Sequence, residues 1–157
     1  MDKLYIICVD DQREVLGAVM KDLAPLGQDF LLEECESAEE CEDLLEELDS
    51  IGAHVALVIS DHIMPGRSGV ELLTQLAGDR RFVATRKVLL TGQATHRDTI
   101  EAVNAARIDH YFEKPWDPYE LLTVSRRLLT EYVLAQRLDY ESYAAALDQA
   151  TLYRELH

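Results

Sequence analysis

The sequence predicts an α/β domain: a doubly wound, five-stranded parallel sheet in the order 2-1-3-4-5, with a long C-terminal helical extension. Three observations carry that expectation. Apolar runs of strand length recur at 4–9, 30–32, 55–59, 87–90 and 110–112, and segments of helical period separate them. The runs are apolar with little alternation, so both of their faces need cover, which is the condition of a parallel sheet between two helical layers. Right-handed crossovers then leave few topologies, and the order 2-1-3-4-5 places a switch point between strands 1 and 3.

Each element has its own signal. The first strand, LYIICV, runs straight into Asp10 and Asp11. Val15, Val19 and Leu23 mark the first helix. Ser37, with Glu40 three residues later, reads as a capping box opening the second. Its apolar stripe is Cys41, Leu44, Leu45 and Leu48, which leaves the acids of EECESAEECEDLLEELD, residues 33–49, on a solvated face. The third strand ends at Asp61 and is followed by Met64, Pro65 and a glycine-bearing turn. Ser68 and Glu71 repeat the capping signal ahead of Val70, Leu72, Leu73 and Leu76. The fourth helix runs from Arg97 through Ile100, Val103 and Ala106. Asp117, Pro118 and Glu120 open the fifth with a cap, a proline at the first helical position and an acid at the third.

Beyond Pro118 there is no glycine or proline. Residues 118–156 therefore read as one helix of about 39 residues and roughly 58 Å. Leu122, Leu129, Val133, Tyr140, Tyr143, Leu147 and Ala150 fall near a 3.5-residue seam, interrupted at Arg126 and Gln136. The expected division is a domain over 1–125 and an extended helix over 126–157, serving as a dimerisation element or a signalling linker. An exposed apolar stripe needs a partner, so a homodimer through this helix is expected. A fold-back near 139–142 is the alternative.

Composition narrows the function classes. The chain has 157 residues, 48% of them hydrophobic, which suits one packed domain and excludes whole-chain disorder. The apolar stretch at the N-terminus meets two aspartates too soon for a signal peptide or a membrane span, so a cytoplasmic protein with no membrane partner is expected. Thirty acids stand against 15 bases, for a net charge of −15. A nucleic-acid surface requires clustered positive charge, so no direct contact with nucleic acid is expected. Cys8, Cys35 and Cys41 show no CxxC spacing and read as reduced packing residues rather than zinc ligands.

In a doubly wound sheet the ligand site lies beyond the carboxyl ends of the strands. Strand 1 ends in Asp10 and Asp11, strand 3 in Asp61, strand 4 in Thr91 and Gly92, and strand 5 in Lys114 and Pro115. Three crowded carboxylates repel one another, and a divalent cation relieves that conflict; an all-oxygen ligand set suits Mg2+. A cation, a lysine and a hydroxyl around one carboxylate suit a phosphoryl group, with Asp61 the candidate nucleophile. No P-loop or GxGxxG is present, so no nucleotide is implied.

These pieces, VDD at 9–11, DHIMPGRSG at 61–69, LLTG at 89–92 and YFEKP at 111–115, resemble in order and kind the receiver domain of bacterial two-component response regulators, over roughly residues 1–130. KPWDPYEL, 114–121, resembles a subgroup joined to regulatory or signalling-enzyme outputs. The resemblance implies that Asp61 accepts a phosphoryl group from a phosphohistidine on a sensor histidine kinase or phosphotransfer protein. Asp11 would bind Mg2+ directly and Asp10 mainly through water, with Asp61 and the main-chain carbonyl of Ile63 completing the protein ligands. Lys114 would pair with a phosphoryl oxygen, across a cis bond to Pro115. Thr91 and Tyr111 would be switch residues, the first moving toward the phosphoryl group and the second swinging inward, so that the face of helix 4, strand 5 and helix 5 is reshaped. Met64, Pro65 and Gly69 would shape the loop that presents Asp61.

Two further positions, Ile63 and Gln93, would tune how long the phosphoryl group lasts. An apolar Ile63 cannot orient an attacking water, which implies slow or moderate decay. Two other functions use similar parts. A Mg2+-dependent phosphatase with an aspartyl nucleophile usually carries a second aspartate two residues on, where this chain has Ile63. A flavodoxin-like cofactor binder would have to place a phosphate in an acidic pocket.

Overall fold

The computed structural model describes residues 2–92, 100–101 and 104–157. Five strands, β1 (Leu4–Val9), β2 (Leu31–Cys35), β3 (His54–Asp61), β4 (Arg86–Thr91) and β5 (His110–Glu113), form one sheet in the order β2-β1-β3-β4-β5. Every pairing is parallel. The intervening helices are α1 (Arg13–Asp22), α2 (Ala38–Ser50) and α3 (Gly69–Ala77). Residues 100–101 and 104–106 are also helical, and the label α4 is used for them. The expected helix start at Arg97, together with Gln93 and Val103, lies outside the described residues. Two helices follow β5: α5 (Pro118–Ala135) and α6 (Gln149–Leu156).

Alternation along the strands explains the unbroken apolar runs. Leu4, Ile6 and Cys8 of β1, with Leu57 and Ile59 of β3, pack under α1 and α5 through Leu16, Val19, Leu121 and Leu128. Ile7 and Val9, with Val58 and Leu89, pack under α2 and α3 through Cys41, Leu45, Leu72 and Leu76. Each strand residue meets one of two cores, so neither parity is free to be polar. The two edge strands are the exceptions: Glu33 and Glu34 stand exposed on β2, and Tyr111 and Glu113 on β5. The apolar signal of β2 is correspondingly short, and the element runs three residues past the apolar stretch.

The helix starts follow their caps. Ser68 accepts the Glu71 N–H at 3.1 Å and Glu71 reaches back to the Ser68 N–H, a complete capping box. Ser37 accepts the Glu40 N–H at 3.0 Å, but the Glu40 carboxylate takes the N–H of Glu36 rather than that of the cap residue. Asp117 accepts the Tyr119 N–H ahead of Pro118. The three cysteines are free and buried, Cys8 in the core under α1 and α5, Cys35 and Cys41 in the core under α2 and α3.

The single helix expected over 118–156 is not formed. α5 stops at Ala135, because Arg137 adopts φ +55°. The Leu138 N–H donates to the Val133 carbonyl and the Arg137 N–H to that of Leu134, which together make a Schellman motif with arginine in the place glycine usually takes. The chain then folds back. Asp139 caps a 3-10 turn at Tyr140–Tyr143, and Asp148 caps α6 by accepting the Thr151 N–H at 3.0 Å. Thr130 on α5 accepts the Asp148 N–H at 2.8 Å. Tyr143 stacks on Phe30 with ring centroids 5.8 Å apart, and its hydroxyl donates to the Asp2 carbonyl. The seam residues Leu129, Val133, Tyr143 and Leu147 are thus buried in the chain's own core. The exposed stripe expected to drive a homodimer is lost at these four positions, and Leu122 and Tyr140 are partly buried against the same core.

Candidate functional site

The carboxyl ends of the three central strands and of β5 meet at one end of the sheet. Asp10 follows β1; its N–H donates to the Cys35 carbonyl at 3.0 Å, and its Oδ1 accepts the Gln12 N–H at 2.9 Å, which orders the turn into α1. Asp61 is the last residue of β3. Both are buried, while Asp11 is exposed at the rim. One carboxylate oxygen from each of Asp10, Asp11 and Asp61 lies within 4.8 Å of the others. Lys114 closes the group: its Nζ stands 3.1 Å from Asp10 Oδ2 and 3.0 Å from Asp61 Oδ1. The Lys114 N–H donates to the Thr91 carbonyl at 2.8 Å, joining the ends of β4 and β5, and the Lys114–Pro115 bond is cis.

Burial raises the Asp61 pKa above its ordinary value; the hydrogen bond from Lys114 opposes the rise and the charge of Asp10 adds to it. Burial works to lower the Lys114 pKa, but the hydrogen bonds and charges of Asp61 and Asp10 outweigh it and the net direction is upward. One ammonium offsets only one of three clustered carboxylates. The remaining donors are hard oxygens, so the residues present fit a Mg2+ ion in charge and ligand type.

The remaining residues read from the sequence are placed as follows. Thr91 is fully buried at the end of β4, and its Oγ1 has no hydrogen-bond partner among the described residues. A buried hydroxyl without a partner costs stability unless a further state or ligand supplies one. Tyr111 on β5 is outside the cluster and 41% exposed. Ile63 is 68% exposed, with its side chain in solvent. Met64 is buried in the core under α2 and α3, Pro65 is exposed, and Gly66 takes φ +81°. Gly69 is set by a close approach: a Cβ there would stand 1.9 Å from the Asp61 main-chain oxygen.

Several contributors went unread. Ser60, fully buried, donates through its hydroxyl to the Asp61 carbonyl at 2.8 Å. A lone serine inside VALVISD was the available signal. Trp116 donates its indole N–H to Asp22 on α1 at 2.8 Å, which anchors the loop after Lys114. Arg67 binds Glu42 of α2 and Gln75 of α3. Nothing local in the sequence announces either of these long-range pairs.

Residues 6–126 match the family described as the response regulator receiver domain. The response regulator Rre1 of Synechocystis is 31% identical over 156 residues, covering 99% of this chain and 62% of Rre1. The hydrogenase transcriptional regulatory protein HoxA of Cupriavidus necator is 29% identical and is matched over 27% of its own length. The chain thus spans less than two thirds of these two relatives. The chemotaxis protein CheY1 of Helicobacter pylori is 28% identical over 75% of this chain and 90% of its own. Among solved structures, the signal receiver domain of an HD domain-containing protein from Pseudomonas fluorescens superposes with a TM-score of 0.72 at 30% identity, covering 83% of this chain and 97% of that one.

Proposed function

Because the chain belongs to the response regulator receiver domain family, we propose that it is a phosphorylation-controlled switch whose Asp61 accepts a phosphoryl group from a sensor histidine kinase or phosphotransfer protein. Receiver domains of this type are signalling switches rather than classical enzymes. The observation that carries the assignment is the Lys114 ammonium bonded to both Asp10 and Asp61, beside three carboxylates with oxygens within 4.8 Å.

In this reading an Asp61 oxygen attacks phosphorus, an O–P bond forms, the P–N bond of the phosphohistidine breaks, and the imidazole leaves with the electron pair. Asp10, Asp11 and Asp61, with the Ile63 carbonyl, would hold Mg2+, and the ion would supply charge neutralisation at the phosphoryl oxygens. Lys114 exchanges part of its hold on Asp61 for a phosphoryl oxygen, so its charge follows the charge that moves. The Thr91 hydroxyl, without a partner among the described residues, takes a phosphoryl oxygen as acceptor. Tyr111 then moves inward from its exposed position, and α4, β5 and α5 present an altered face.

Autodephosphorylation is slow or moderate, because the exposed apolar Ile63 orients no water; a clear slowing of decay in Ile63→Asn would count against this. The reading places the protein in the cytoplasm and gives it no direct nucleic-acid contact, in keeping with a net charge of −15. Among the described residues no helix is long and apolar enough to cross a membrane. The homodimer expected through the C-terminal helix is not supported by Leu129, Val133, Tyr143 and Leu147, which are buried within the chain.

Mass spectrometry of the wild type and Asp61→Asn after incubation with acetyl phosphate and Mg2+ tests the reading. One phosphoryl group on the wild type, located on Asp61 and absent from the variant, is expected. Labelling elsewhere, or none, overturns it.

A further inference from the structure

Ser60 interrupts an apolar strand, and its hydroxyl is committed to one bond: it donates to the Asp61 main-chain carbonyl at 2.8 Å. The same oxygen is enclosed from another side by Gly69, where a Cβ would stand 1.9 Å from it and 3.0 Å from the Ser60 Oγ. The Asp61 carbonyl and the His62 N–H belong to one rigid, planar peptide unit. Its other end is also held, since the His62 N–H donates to the Leu90 carbonyl at 3.2 Å. One unit further on, the His62 carbonyl accepts the Gly69 N–H at 2.8 Å.

We propose that Ser60 is a positioning residue for phosphoryl transfer: its hydroxyl fixes the Asp61–His62 peptide plane and thereby the direction in which the Asp61 carboxylate faces the incoming phosphorus. The proposal rests on Asp61 being the acceptor. Without the hydroxyl, a buried carbonyl loses a donor, and the plane is held at its His62 end alone, by the bond to Leu90. The backbone that carries the Asp61 carboxylate is then less firmly placed, and a nucleophile slightly out of line loses rate without losing affinity for donor or metal.

The test compares Ser60→Ala with Ser60→Thr and Ser60→Cys, which keep a donor at the position. Initial rates of phosphorylation are measured against acetyl phosphate concentration at saturating Mg2+, alongside Mg2+ affinity by calorimetry, Tm, and the His62 amide resonance. In Ser60→Ala we expect the saturating rate to fall about tenfold, with donor half-saturation and Mg2+ affinity held within about twofold, and the His62 amide displaced. Recovery of most of the rate by whichever donor-bearing variant keeps the wild-type Tm is expected. A folded Ser60→Ala with a wild-type saturating rate, or with a loss wholly accounted for by weaker donor or metal binding, overturns the proposal and makes Ser60 a packing residue. Wild-type protein that takes no label on Asp61 overturns the acceptor assignment and this proposal together.

Discussion

Arg137→Gly tests the break between α5 and α6, and does so by sign. Arg137 is exposed and sits at φ +55°, where an L side chain costs about 1–2 kcal/mol. Glycine removes that cost but adds unfolded-chain entropy worth about 0.5–1 kcal/mol. The net is a stabilisation of roughly 0.5–1 kcal/mol, or about 1–4 °C in Tm for a domain of this size. Were residues 118–156 one helix, the same change would place glycine in a helix interior and cost about 0.8–1 kcal/mol. Urea unfolding followed by far-UV circular dichroism measures the difference, with an unchanged slope showing that the two states compared are the same. A midpoint shifted downward by that amount would refute the Schellman ending and restore the continuous helix.

Other consequences follow from the same geometry. Gly69→Ala drives a methyl against the Asp61 backbone, and we expect a loss of at least about 2–3 kcal/mol in thermal or urea unfolding, together with slower phosphorylation. Tyr143→Phe removes the hydroxyl that donates to Asp2 while keeping the stack on Phe30, and should cost about 1 kcal/mol, detectable in the urea midpoint. Asp61 has a folded pKa raised above 3.8 chiefly by burial, so the folded state holds its proton more tightly than the unfolded one. Its contribution to stability is present below that value and is lost as pH rises through the folded pKa, so Asp61→Asn should gain in Tm relative to wild type across that window and keep the gain at neutral pH. A gain that is independent of pH would contradict the shift.

The sheet order and the membership of the acidic cluster were legible because both depend on short-range pattern: apolar runs set the strands, and the residues just past each run fall at one end of a parallel sheet. Asp10, Asp61 and Lys114 are far apart in sequence yet needed no contact information beyond that rule. The tail was misread for the converse reason. Helix propensity and the absence of glycine and proline favour continuation at Arg137, and the termination comes from tertiary burial of Leu138, Tyr143 and Leu147 against the α1–α5 core, outweighing a local backbone cost. Asp139 and Asp148, each a side-chain cap ahead of a new turn, were the readable hints. Ser60 and Gly69 act on a single backbone oxygen, an arrangement that only coordinates display.

Three buried thiols, divided between the opposite faces of one sheet, give the molecule built-in reporters of local opening. Burial pushes the Cys8 thiol up to about 12, and that of Cys41, beside Cys35, is also raised, so neither ionises at neutral pH while its layer stays shut. Alkylation of Cys8 then registers separation of α1 and α5 from the sheet, and alkylation of Cys41 registers lifting of α2. The two rates, read in one sample with and without phosphodonor, would tell which side of the sheet loosens first.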